Sequence, residues 1–450
     1  MGFGARAPHV LYVAWGYPPC RSGGTYRALA TANAFARDGW DVTVLTCERE
    51  VFERYTGVDT SLEPLVDPRI RVERVPFEWP ALEPDLRSWS LLRAVSPPAW
   101  AKLRRSLDQR SFPEPAYGPW RPVLEAAAER IHAEHPVDLC VATANPHVDY
   151  TAPLRLHERH GVPFVADYRD AWSFDVFTGA VLHTPDSRQG RWEARVLEGA
   201  AEVWFVNEPI RARQAAEHPA LADKLHVVAN GYDLELAAEG VARRPSPDDG
   251  LVFGYIGTIS RQVPVTELVE GWQVGRERSE LLARSTVALH GYIGHNAPLP
   301  AVEAAVAAGA SVGVDYRGPV PKAQVESVYE GFDALLLVLG TGTYVTSGKV
   351  YEYLATGLPI VSVHDPANAA SEVVRGYPLW FPAASLAPDD VAAALAAAAE
   401  AAVGASEETR AACVAYARQF RREAQLAPRV SALRELVTQG AAPADGAVSA

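Results

Sequence analysis

The chain has 450 residues, 48% of them hydrophobic and 22% charged, with a formal net charge of −13. That is the composition of a soluble globular protein too long for one ordinary core, so two domains are expected. The acidic balance argues against a general nucleic-acid binder, and the scattered cysteines, Cys20, Cys47, Cys140 and Cys413, have neither metal-ligand spacing nor the density of a disulfide framework.

The opening stretch, MGFGARAPHVLYVAWGYPP, lacks a signal-peptide h-region, and no window holds about 18 uninterrupted apolar residues. A reduced cytoplasm is the expected compartment. HVLYVAW (9–15) reads as a buried parallel strand, GYPPCRSGGTY as a loop, and RALATANAFARDG as a helix capped by Gly39. DVTVLT follows as a strand, which makes a βαβ start with a glycine-rich first turn.

Residues 51–120 are less regular and rich in proline and tryptophan. Within them, 87–110 (RSWSLLRAVSPPAWAKLRRSLDQR) carries six basic residues and one acidic residue. It reads as a helix pair packed on the domain, or as an amphipathic surface for a membrane or an acidic partner. Regular alternation then returns: VLEAAAERIHAEH, DLCVATA, YTAPLRLHERHG, PFVADYRDAW, RWEARVLEGAAEVWFVN and LHVVANGYD. This completes an expected N-terminal domain at 1–235, and the polar, proline-containing 236–250 reads as an interdomain linker.

The second half repeats the theme, with strands LVFGYIG, VALHGYIG, GVDYRGPV, ALLLVLG and LPIVSVH and helices between them, including PKAQVESVYEGF and GKVYEYLATG. An Ala-rich helix at 391–403 and a long helix at 406–437 end a second domain at 251–437, the last helix being expected to pack back on the first domain. A disordered tail is expected at 438–450. The fold class is therefore α/β, two successive halves that each carry a parallel sheet.

In open α/β sheets ligands bind beyond the carboxyl ends of the strands. Gly23 and Gly24 follow the first strand and precede a helix N-terminus, where bare backbone can approach an anion. No G-x-G-x-x-G is present, which speaks against a dinucleotide site. DYRDAW crowds Asp167, Arg169 and Asp170 at a strand exit, an ion-paired corner or a hydroxyl-orienting one. TANPHVDY offers Asn145 and His147 after another strand. In the second half Gly257 and Thr258 turn the chain, and Arg261 has the reach to cross a diphosphate. The helix starting near Gly348 points its positive end at the same strand edge, with Lys349 adding charge and Glu352 one turn on. Amides and a cation suit phosphate; a carboxylate suits a ribose diol. The plain alternative for Lys349 and Glu352 is a surface i,i+3 ion pair.

Taken in order, LYVAWGYPPCRSGGTYRALATANAFARDGWDVTVLT, GVPFVADYRDAW, VVANGYD, FGYIGTISR, VDYRGPVPKAQVESVYEGFDALLLVL and GKVYEYLATGLPIV resemble the GT-B glycosyltransferases, and among them the large retaining family four, from about residue 9 to 425. The resemblance implies two Rossmann-like doubly wound domains facing each other across a cleft. It implies a nucleoside-diphosphate sugar held mainly by the C-terminal domain, an acceptor held mainly by the N-terminal one, and no cofactor or metal. The acceptor would be a small molecule, a glycan or a lipid-linked sugar. Gly23, Gly24, Gly257, Thr258, Arg261, Gly318, Val320, Ser347, Gly348, Lys349 and Glu352 would then line the donor. Asp167, Arg169, Asp170 and His147 would serve the acceptor or the chemistry. The family's motif has two glutamates separated by seven residues; Glu352 matches the second, and Tyr344 stands where the first would fall, with Thr343, Thr346 or Ser347 as possible substitutes. Reaction would proceed with retention through an oxocarbenium-like transition state, the charge on the leaving diphosphate being met by Arg261, Lys349 and the helix N-terminus. The rival readings are a nucleotide-sugar epimerase of the same fold and a non-catalytic partner protein that has kept it. High Ala and Arg usage with a single Met hints at a GC-rich bacterial genome.

Overall fold

A computed structural model describes residues 6–234, 239–241, 245, 248, 250–294, 299–321 and 324–440. Most of the expected linker and all of the expected tail beyond 440 lie outside those residues. The chain divides into two compact units: Met1–Asp175, Ala180–Val228 and Leu426–Ala450 form the first, and Val176–Gly179 with Ala229–Gln425 the second.

Among the described residues the first unit holds a seven-stranded parallel sheet: β1 (His9–Val13), β2 (Asp41–Cys47), β3 (Arg71–Val75), β4 (Leu139–Ala144), β5 (Phe164–Tyr168), β6 (Glu202–Phe205) and β7 (Leu225–Val227), in the order β3-β2-β1-β4-β5-β6-β7. The order reverses between β1 and β4, whose Val10 and Leu139 are in register. The second unit holds a six-stranded parallel sheet of β8 (Val252–Ile256), β9 (Thr286–His290), β10 (Val314–Gly318), β11 (Ala334–Val338), β12 (Ile360–Val363) and β13 (Trp380–Pro382), ordered β10-β9-β8-β11-β12-β13. Its reversal lies between β8 and β11. Each unit therefore has one switch point where a ligand crevice is expected, just past β1 and β4 or past β8 and β11.

Central strands are apolar throughout because helices cover both faces. In β11, Leu335 and Leu337 enter one core while Leu336 and Val338 enter the other, the period-two alternation of a strand buried on both sides. Two strands escape the sequence reading, β3 (RVERV) and β13 (WFP). Both are sheet edges and only partly buried, so neither carries the apolar run that marks a central strand.

The helix expected at 406–437 is two helices, Glu407–Ala417 and Arg422–Gly440. Arg421 is extended (φ −57°, ψ 132°) and bridges to Tyr232: the Tyr232 N–H donates to the Phe420 carbonyl (3.0 Å), and the Arg422 N–H donates to the Tyr232 carbonyl (2.9 Å). Gly231 (φ +61°) makes room, since a Cβ there would lie 2.5 Å from the Phe420 oxygen. Tertiary pairing outweighs a local sequence rich in helix formers. The second of these helices places Leu426, Val430 and Leu433 in the core of the first unit, beside Val10, Phe35 and Val228. Residues 438–440 continue that helix.

Candidate active site

Past β1, the Gly23–Arg37 helix begins at the switch point of the first unit. Gly24 leaves a gap that Arg169 fills: a Cβ there would collide with the Arg169 guanidinium. Gly23 has open space where a side chain would stand. Arg169 lies 3.5 Å from the Asp170 carboxylate, which also accepts a hydrogen bond from the Asn145 amide (3.0 Å). Gly24, Arg169, Asp170 and Asn145 thus form one cluster at the carboxyl edge of the sheet.

Asp167 is directed elsewhere. It is wholly buried, and its carboxylate receives the Arg27 Nε (2.8 Å) while another Arg27 nitrogen donates to the Val228 carbonyl (2.9 Å). That pair ties the Gly23–Arg37 helix to β5 and to the end of β7. His147 stacks on Trp172 with ring centroids 4.5 Å apart, and its Nδ1 is 3.5 Å from Glu114. Glu114 also accepts the backbone N–H groups of His147 (3.1 Å) and Val148 (2.9 Å). The His147 Nε2 is buried without a hydrogen-bond partner among the described residues. Two acids here carry no sequence signal. Glu114 comes from the irregular stretch, and Asp149 hides inside NPHVDY. Asp149 accepts the Trp15 N–H (2.8 Å), and burial pushes its carboxyl well above the usual range, which favours the protonated form.

In the second unit β8 is followed by Gly257 (φ +154°), whose N–H donates to the His290 carbonyl (2.9 Å). The neighbouring Gly291 (φ +138°) is packed so closely that a Cβ would strike the Gly257 carbonyl, and a Cβ on Gly257 would strike the Lys349 ammonium. Both glycines are obligatory here for backbone conformation and space alike. Lys349 opens the Lys349–Thr356 helix; its Nζ donates to the Tyr255 hydroxyl (2.9 Å) and sits over that ring, 4.1 Å from the centroid. The Tyr255 hydroxyl donates onward to the Thr258 carbonyl (3.0 Å). Burial brings the Lys349 pKa down to about 7, and the Glu352 charge opposes that shift in part.

The expected i,i+3 pair is therefore not the main contact of either residue. Lys349 goes to Tyr255, and Glu352 accepts a hydrogen bond from the buried Tyr329 hydroxyl (3.3 Å). Gly348, the N-cap of the helix, is exposed, with nothing near a notional Cβ, and Ser347 precedes it. Thr258 and Arg261 lie exposed in the loop after β8. Gly318 (φ +73°) ends β10, and its carbonyl accepts the Gly291 N–H (2.9 Å). Val320 packs on the hydrophobic core. Gly257, Gly318, Lys349 and Glu352 are brought together with four residues not singled out from sequence: Gly291, Tyr255, Tyr329 and His290. His290 is buried at the end of β9 with both ring nitrogens unpartnered among the described residues, and burial lowers its pKa, favouring the neutral ring. A signal existed for this region: GYIG occurs twice, at 254–257 and 291–294. The second copy pairs with the residues just past the first, through the Ile259–Ile293 bridge.

Residues 22–231 match the family model of the glycosyl transferase 4-like domain. No curated protein matches the chain. Similar solved structures include a glycosyltransferase from Rickettsia africae, 11% identical over 97% of this chain and 100% of that one, with a TM-score of 0.62. The Anabaena protein HepE in complex with UDP is 15% identical over 95% of this chain and 100% of its own, with a TM-score of 0.62. The sucrose-phosphate synthase of Thermosynechococcus elongatus is 15% identical over 96% and 100%, with a TM-score of 0.62. Residues 22–231 therefore carry a glycosyl transferase 4-like domain, and the two parallel sheets and these neighbours give the chain the GT-B fold.

Proposed function

We propose that the protein transfers a sugar, a hexose or a close relative, from a nucleoside-diphosphate sugar to an acceptor, with retention of anomeric configuration and without need of a metal ion. The observation that carries this reading is the placement of Lys349. A shielded ammonium lies against the bare backbone of Gly257, with a tyrosine hydroxyl as its hydrogen-bond acceptor. An ammonium has three donors. The remaining donors, together with the exposed helix start at Gly348, suit the oxygens of a diphosphate.

The chemistry follows from that placement. As the bond from the anomeric carbon to the diphosphate oxygen breaks, negative charge grows on the leaving group. Lys349, the first N–H groups of its helix and, by reach, Arg261 meet that charge. Ser347 and Thr258 are hydroxyl donors at the same edge. Glu352 accepts the ribose hydroxyls, held in place by Tyr329. The acceptor is assigned to the Arg169–Asp170–Asn145 cluster, with His147 near it. The departing phosphate takes the acceptor proton, so no enzyme carboxylate is obliged to act as base. Asp167, bound on its own to Arg27, is assigned to support. The UDP held by the Anabaena protein of this fold supports the donor class.

Calorimetric titration with UDP, GDP, dTDP and ADP tests the donor assignment. One nucleotide should bind to the wild type, and Lys349→Met should weaken it about ten- to a hundredfold. Binding that is unchanged in Lys349→Met would remove the anchor of the proposal. A nucleotide sugar isomerised in the absence of any acceptor would replace transfer with epimerisation.

A further inference from the structure

Residues 82–110 are unusual in what they show to solvent. Leu86 is 69% exposed, Leu91 80%, Val95 76% and Leu103 50%, with Leu82, Leu92 and Leu107 also exposed. Such aliphatic exposure in one segment exceeds the scattering normal for a protein surface. The segment is nonetheless well built. It folds as two short helices, Leu91–Val95 and Pro97–Asp108. The Arg93 side chain is buried between the Trp89 ring (4.0 Å) and the Trp100 ring (4.6 Å), and it donates to the carbonyls of Pro80 (2.6 Å) and Ala81 (3.0 Å). Asp108 is buried and paired with Arg104 (2.6 Å). Trp100, Arg104 and Asp108, at i, i+4 and i+8, form the inward stripe of the second helix. The inward face is thus made of tryptophans and paired charges, while the leucines are left outside. This inverts the usual amphipathic arrangement.

Charge completes the picture. The chain as a whole carries −13, whereas 87–110 has six basic residues and one acidic residue, and Lys102, Arg105 and Arg110 are exposed alongside the leucines. Exposed aliphatics flanked by cations match an anionic lipid surface, where the side chains enter the headgroup boundary and the cations meet the phosphates. No helix among the described residues is long and apolar enough to cross a membrane, so the contact is with the surface. We propose that the Leu91–Asp108 helix pair, with Leu86, docks the protein reversibly on anionic membranes. The inference is independent of the donor assignment above.

Flotation of the full chain with phosphatidylcholine vesicles, with and without phosphatidylglycerol, tests it. Wild type should bind the anionic vesicles, and added salt should weaken the binding. Lys102→Gln with Arg105→Gln should lower vesicle affinity about thirtyfold, at about fivefold for each lost cation contact. Leu91→Ser with Val95→Ser, Leu103→Ser and Leu107→Ser should lower it by about a hundredfold or more while leaving the melting curve in place, since these side chains are exposed. Failure of wild type to float with either vesicle overturns the proposal, as does equal flotation of the serine variant. If wild type ignores vesicles but self-associates in sedimentation velocity, and the serine variant does not, the face belongs to a second copy of the chain and the proposal is likewise wrong.

Discussion

The first strands of both sheets end in glycine-lined turns, but charge is handled differently beside them. In the first unit the deepest charges answer one another: Arg27 with Asp167, and Glu114 with the backbone at His147. In the second unit the shielded Lys349 faces a neutral phenol, and a neutral His290 has no partner among the described residues. A buried charge bonded to an internal counterion holds elements together; a shielded cation bonded to a neutral hydroxyl keeps donors for an incoming anion. The contrast separates architecture from binding more sharply than residue type does, since both edges contain Gly, Arg or Lys, and Asp or Glu.

The contrast can be broken by mutation, beginning with the largest effect. Arg27→Ala should cost about 3–5 kcal/mol of stability, because it strands the Asp167 carboxylate in the core, and chemical denaturation measures it directly. Little change there would mean that the pair is not structural. Lys349→Met should do the reverse: it should cost about 1.5–3 kcal/mol of nucleotide affinity with no loss of stability at pH 7. The pH dependence has a defined sign. The folded pKa lies near 7, below the ordinary lysine value, so protonation is disfavoured in the folded state. Stability should therefore gain as pH rises from about 7 toward the ordinary lysine range, and Lys349→Met should abolish that gain. Nucleotide affinity should move oppositely, highest at and below pH 7 and falling above it as the free ammonium loses its proton. A flat affinity profile in wild type would show that the ammonium does not meet the ligand.

The glycines sharpen the same comparison. Gly291→Ala meets backbone at a positive φ and should cost about 1–3 kcal/mol in stability. Gly24→Ala meets only the end of the Arg169 side chain, which can swing away, so the melting temperature should hold while the Arg169–Asp170 cluster is disturbed. Equal losses at both positions would contradict this difference. Glu352→Gln, which keeps the shape and removes the charge, is expected to have the smallest effect on nucleotide affinity, about 1 kcal/mol by calorimetry.

The sequence displays those parts of the molecule whose cause is local. Central strands are legible because burial on both faces demands an unbroken apolar run, whereas β3, with Arg71, Glu73 and Arg74 in five residues, has no such run. The Lys349–Thr356 helix is legible from its apolar spacing and from Gly357, which stops it in the left-handed conformation (φ +74°). Illegible features depend on partners far along the chain. Asp167 and Arg27 are 140 residues apart, and Lys349 and Tyr255 are 94 apart. Spacing alone could place a lysine and a glutamate on one helix face, but could not tell that each would turn to a tyrosine instead. The break at Arg421 is of the same kind: nothing in ARQFRRE stops a helix, and Tyr232 does.

The return of Leu426, Val430 and Leu433 to the first core has a consequence for biosynthesis. The seven strands of that sheet are all translated by Val227, yet the apolar surface they present stays partly uncovered until the last helix has been made. The second unit is synthesised in the interval and is free to fold in sequence order. The half of the protein that starts first on the ribosome is therefore the half that finishes last, and a nascent chain halted before residue 426 should expose hydrophobic surface that chaperones recognise.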